Sequence, residues 1–157
     1  MKRLPLLAVV LGLGGLIPFV AIAAGILLFP ADVPVPRLVQ AVIAYGAVIL
    51  SFLGAVHWGL ALADDRLAVP DHARTLRLRL ALGVLPALVG WAALLIPMVA
   101  SPLLALVVLL IGFVLTVLVE ARATRDGLMP PGYMRLRWLL TAVVMLCLLA
   151  ILLTRLL

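Results

Sequence analysis

Five stretches of this chain, Leu4 to Phe29, Leu38 to Ala63, Leu80 to Met98, Leu103 to Val119 and Trp138 to Thr154, contain no Asp, Glu, Lys or Arg. The twelve basic and six acidic side chains all fall in the gaps or at the ends. A helix needs about 20 apolar residues to cross a bilayer, and a helix satisfies its own backbone polar groups there. The pattern predicts an all-α membrane protein, a compact bundle of five transmembrane helices near residues 4–29, 38–63, 79–98, 103–121 and 136–155. These fill residues 1–157 as a single transmembrane domain with short connections.

The N-terminus admits two readings. Met1-Lys2-Arg3, an apolar run and Ala21-Ile22-Ala23 imitate a secretory signal peptide. The run continues to Phe29, longer than a signal core, so it reads as the first membrane helix, with cleavage as the alternative.

Arginine placement predicts orientation. The N-terminus, the second loop and the fourth loop hold ten of the twelve Lys and Arg residues, and the compartments between them hold only Arg37 and Arg155. Positive residues are retained on the cytoplasmic side of short loops. The N-terminus is therefore expected in the cytoplasm and the C-terminus in the periplasm of a bacterial inner membrane. The net charge of +6 does not point to nucleic acid, because these arginines flank lipid-spanning runs where anionic headgroups are the nearer partner.

Both inner loops end in Arg-Leu-Arg, Arg77 and Arg79 in one and Arg135 and Arg137 in the other. Each leaves its preceding helix beside an acid, Asp64 and Asp65 or Glu120. Helix dipoles disfavour both placements. Snorkelling to lipid headgroups accounts for the four arginines. The alternative pairs Asp65 or Glu120 with a neighbouring Arg-Leu-Arg.

Small residues let helices approach in lipid, where apolar side chains gain little by association. Gln40, Ala44, Ala47, Ser51, Gly54, Trp58 and Ala61 recur at four- and three-residue steps and predict a packing seam on the second span. Pro18 and Pro86 should each kink their helices by removing a backbone donor.

Few polar groups lie within the spans. His57 is the only intramembrane side chain that titrates near neutrality. It reads either as a cavity-lining residue or as a histidine bonded to a neighbouring helix or to headgroups. Two histidines, with His72 in a loop, exclude an intramembrane bis-histidine haem or a zinc site within one protomer. No cofactor and no metal are expected. No carboxylate lies in the interior of a span. Glu120 comes closest, on a stripe with Gly112 and Thr116. Ser51 and His57, six residues apart, do not share a face. Trp58, Tyr133 and Trp138 suit an aromatic belt. Trp91 and Tyr45, at similar depth, line a pocket or pack in the core. Cys147 has no disulfide partner and reads as a small apolar residue.

The stretch Ala44-Tyr45-Gly46-Ala47-Val48-Ile49-Leu50-Ser51-Phe52-Leu53-Gly54-Ala55-Val56-His57-Trp58-Gly59 resembles the signature of a family of polytopic membrane proteins. That family carries a domain of unknown function found in bacteria, with a mitochondrial transmembrane relative. Leu13 to Phe19, Pro86 to Trp91, and Tyr133, Leu136-Arg137 and Leu140-Thr141 are similar to its other marks. The resemblance implies one small polytopic domain in an energy-transducing membrane and brings no activity with it. The chain departs from the family pattern at Pro131-Gly132-Tyr133, where a Trp-Tyr pair is expected, and at Glu120 in place of an aspartate.

Three functions compete. The first is a non-catalytic accessory or assembly partner of a larger membrane complex. The second is a small transporter or channel, as a single chain or a homo-oligomer, with a cavity at His57. The third is a lipid- or quinone-binding membrane enzyme, with His57 and Trp91 at its pocket.

Overall fold

The computed structural model describes residues 5–62, 73–125 and 132–156. These form six helices: α1 (Leu6–Gly14), α2 (Ile17–Leu28), α3 (Val35–Leu62), α4 (Ala73–Val99), α5 (Pro102–Arg125) and α6 (Tyr133–Leu156). Among the described residues five stretches are long and apolar enough to cross a membrane, α1 and α2 together counting as one. The chain is an all-α membrane protein. Lys2, Arg3, Asp64, Asp65, Arg66, His72 and Pro131 lie outside the described residues, so the Asp65 pairing does too.

The first span is two helices rather than the single kinked one expected. Pro18 has no N–H to offer the Gly14 carbonyl, and its ring crowds that carbonyl. Gly14 and Gly15 are weak helix formers at the same point. The chain tightens instead, with Leu16 N donating to Leu13 O at 3.0 Å. The Tyr45 hydroxyl then donates to Gly15 O at 3.0 Å, fastening the break to α3. Pro86 has no such effect, and α4 runs through it unbroken.

Helix ends reach beyond the apolar runs. α3 begins at Val35, α4 at Ala73, α5 continues to Arg125 and α6 begins at Tyr133. A helical backbone does not stop where lipid stops, so charge marks the membrane edge and not the helix end.

Contacts between α3 and α4 run in antiparallel register. A methyl on Gly54 would strike the carbonyl oxygen of Gly83, and one on Gly90 would lie 2.8 Å from Ala47 O. Backbones this close tolerate no side chain on the facing positions. α3 and α5 run parallel, since Gly46 meets Leu109 and Leu50 meets Gly112. α3 packs on α2, α4 and α5, and α6 closes the bundle against α5 and α2.

The seam expected on α3 is rotated. Ala47 and Gly54 are buried as foreseen, but Gln40, Ala44 and Trp58 are exposed. The buried stripe is Val39, Val42, Ile43, Leu50, Leu53 and His57 alongside the small residues. α3 touches three helices rather than one, so its inward face is wider than a single small-residue line.

Candidate intramembrane binding site

Polar groups enter the core from three helices. α3 contributes His57, α5 contributes Thr116 and Glu120, and α6 contributes Arg137 and Thr141. On α5 the four-residue step from Gly112 to Thr116 to Glu120 lines one face, and on α6 the same step joins Arg137 to Thr141. All five side chains are buried.

Glu120 is fully enclosed and accepts a charge-assisted hydrogen bond from Arg137 Nε through Oε2. Glu120 therefore forms the ion pair that the Arg-Leu-Arg spacing allowed. The assignment of Arg137 to lipid headgroups is corrected, because two residues along a helix turn side chains about 200° apart. Arg135 takes the exposed face and Arg137 the inner one. Arg77 is also exposed, while the side chain of Arg79 lies outside those described.

His57 is 5% exposed. Its Nδ1 lies 3.4 Å from Leu53 O of its own helix, a weak contact, and its Nε2 has no partner. A carbonyl can only accept, so the contact is favourable when Nδ1 carries the proton and Nε2 keeps its lone pair. His57 lines a cavity of about 350 Å³ between α3, α4 and α5. The remaining lining is almost wholly apolar, with Leu82, Leu85, Pro86, Val89 and Leu115 around Gly112 and Thr116. Leu85 and Leu115 are more than half exposed, so the cavity opens sideways between α4 and α5. Thr116 commits its proton to Gly112 O at 2.8 Å, so it has no donor left for a ligand.

Other expected residues do not join this site. Ser51 donates to Ala47 O at 2.8 Å within its own helix and does not meet His57. Trp91 is 60% exposed, and neither it nor Tyr45 lines any of the cavities described. Position 91 follows Gly90, whose backbone is pressed on Ala47, and the next residue around the helix is turned outward. Tyr45 packs edge-on against Phe19, ring centroids 5.1 Å apart. Trp58 is half exposed, with its indole N–H donating to Leu80 O at 2.9 Å and its ring lying against Gly83. Gly54 lies against the backbone of Gly83 on α4.

Sequence reasoning missed Thr141, and it held Arg137 as an interior cation only as the alternative to a headgroup role. The available signal was the four-residue step between them, which repeats the step from Thr116 to Glu120. Among the described residues no three His, Cys, Asp or Glu side chains gather as a metal site requires.

Residues 4–153 match the family described as "Protein of unknown function (DUF3429)". The chain is 43% identical over 95 residues to Transmembrane protein 69 of Xenopus tropicalis, covering 60% of this chain and 35% of that protein. It is 38% identical over 88 residues to Transmembrane protein 69 of Mus musculus, covering 56% and 33%. The match thus spans about a third of the length of these relatives. No solved structure matches the chain.

Proposed function

This chain belongs to the DUF3429 family, and from that premise we propose that it is a non-catalytic accessory protein of a bacterial inner membrane that holds a small amphiphile beside His57. The supporting observation is the unpartnered, buried Nε2 of a side chain lining an otherwise apolar cavity. Burying a polar atom without a partner is costly. An apolar pocket with one polar handle suits a ligand that has an oily body and a single hydrogen-bonding group. With the proton on Nδ1, Nε2 accepts from a donor, such as the hydroxyl of a quinol or an acylglycerol. The lateral opening admits such a molecule directly from the bilayer.

The non-catalytic part of the reading rests on the interior chemistry. Glu120 and Arg137 are tied to one another, and among the described residues His57 is the only titratable side chain lining the cavity, which supports holding a ligand rather than transforming it. A partner complex is the other half of this reading, as the component that the held ligand would serve.

Native mass spectrometry from mild detergent tests the ligand. The wild type should retain one amphiphile, and Leu115→Trp at the mouth should lose it, as should His57→Leu. A clean ligand-free mass for the wild type refutes the binding role. Affinity capture should recover a reproducible membrane partner, and recovery of the chain alone refutes the accessory role.

A further inference from the structure

A second cavity, of about 140 Å³, lies on the other side of the contact between α3 and α5. α1, α2, α3, α5 and α6 surround it, with Leu53 and Phe113 among its lining. It is apolar except for two side chains, Arg137 and Thr141. Arg137 Nη2 and Thr141 Oγ1 are both buried and both unpartnered.

Thr141 is unlike the other helical hydroxyls described. Ser51, Thr116, Thr124 and Thr154 each donate to a carbonyl of their own helix. Such back-bonding is the default for a hydroxyl in an apolar helix. Thr141 lies one turn beyond Arg137, lines the cavity with it and makes no such bond.

We infer that this slot is a second lipid site, in which Arg137 Nη2 and Thr141 Oγ1 donate to the carbonyl oxygen of an acyl ester. Arg137 Nη2 can only donate and the Thr141 hydroxyl can donate as well, so a ligand group that meets both atoms is an acceptor. The acceptor is neutral, because the Arg137 charge is already matched by Glu120 and a second anion would be repelled by that carboxylate.

Depth favours an ester. α6 has 24 residues, about 36 Å at 1.5 Å per residue, against a hydrocarbon layer of about 30 Å. Arg137 is four residues from the start of α6, about 6 Å along the axis, which is close to the edge of that layer. Ester carbonyls of bilayer lipids occupy the same level. The mouth is flanked by Leu11 of α1 and Phe52 of α3, both about two-thirds exposed, so an acyl chain can enter from the side. Gly12 and Gly15 keep the roof free of side chains.

Nanodiscs of diester and diether phospholipids with identical headgroups test this, since only the diester offers a carbonyl. After ejection into a mass spectrometer, wild type should retain one diester lipid about tenfold more than the diether. Thr141→Val should bring the two within about twofold, and Thr141→Ser should keep the preference. Leu115→Trp, which blocks the other cavity, should leave the preference intact, so this test and that of the His57 site fail independently. Equal retention of the two lipids by wild type overturns the inference, as does a preference that survives Thr141→Val. Retention of a long-chain benzoquinone from diether discs, in place of any ester lipid, also overturns the ester assignment and gives the same donors to a ring carbonyl.

Discussion

Arg137 donates from Nε to a Glu120 carboxylate that has no exposed surface at all, seventeen residues earlier in the chain. The pair ties α5 to α6 inside the bundle. Two charges withdrawn from water repay their desolvation only through each other.

Glu120→Gln leaves the guanidinium buried with no counter-charge, and should destabilise the fold by about 3–5 kcal/mol. Arg137→Leu should cost a similar amount. The double variant Glu120→Leu with Arg137→Leu should be more stable than either single one, because it leaves no lone charge. Unfolding titrations in detergent micelles measure all three, and strictly additive single effects would refute the coupling.

Gly54→Val should separate α3 from α4, since the added carbon meets the Gly83 carbonyl and not a side chain that can turn away. Overpacking of this kind costs about 1–3 kcal/mol or more. Gly59→Ala is the control, as nothing lies within 4 Å of the new methyl. Thermal melting of the two variants should differ clearly, and matched melting would contradict the close approach.

Tyr45→Phe removes the donor to Gly15 O while keeping the ring contact with Phe19. The expected loss is about 1 kcal/mol, the usual net value of one hydrogen bond. Amide exchange should quicken around residues 13–16 and stay unchanged in the middle of α3. Unaltered exchange at the break would mean that the hydroxyl does not hold it.

Ser101→Cys and Arg135→Cys, each in a Cys147→Ala background, report on opposite ends of the bundle. From the arginine distribution, an impermeant thiol reagent outside intact cells should label Ser101→Cys, and Arg135→Cys should react only after permeabilisation. Labelling of both from the same side would refute the alternating topology.

Much of the architecture was legible because lipid imposes a simple condition on a sequence. Charged residues cannot sit in hydrocarbon at low cost, so the runs from Leu38 to Ala63 and from Leu103 to Val119 declared α3 and α5 before any packing was considered. His57 was singled out for the same reason, as a polar side chain inside an apolar run.

The site was less legible, because depth along a helix is written in sequence and rotation about it is not. Arg135 and Arg137 look equivalent in Arg-Leu-Arg, yet one is exposed and the other meets Glu120. Trp91 and Tyr45 share a depth and diverge in direction.

Composition and spacing alone determined that this chain is an all-helical membrane protein, and roughly where each span lies. Only the tertiary structure decided that the first span breaks at Gly15–Leu16, that α3 turns His57 toward a lateral cavity, and that Arg137 faces inward. The reason is physical. Partition into lipid depends on the sum of side chains along a segment, whereas burial depends on which neighbour each helix face meets, and that is settled by all the helices together.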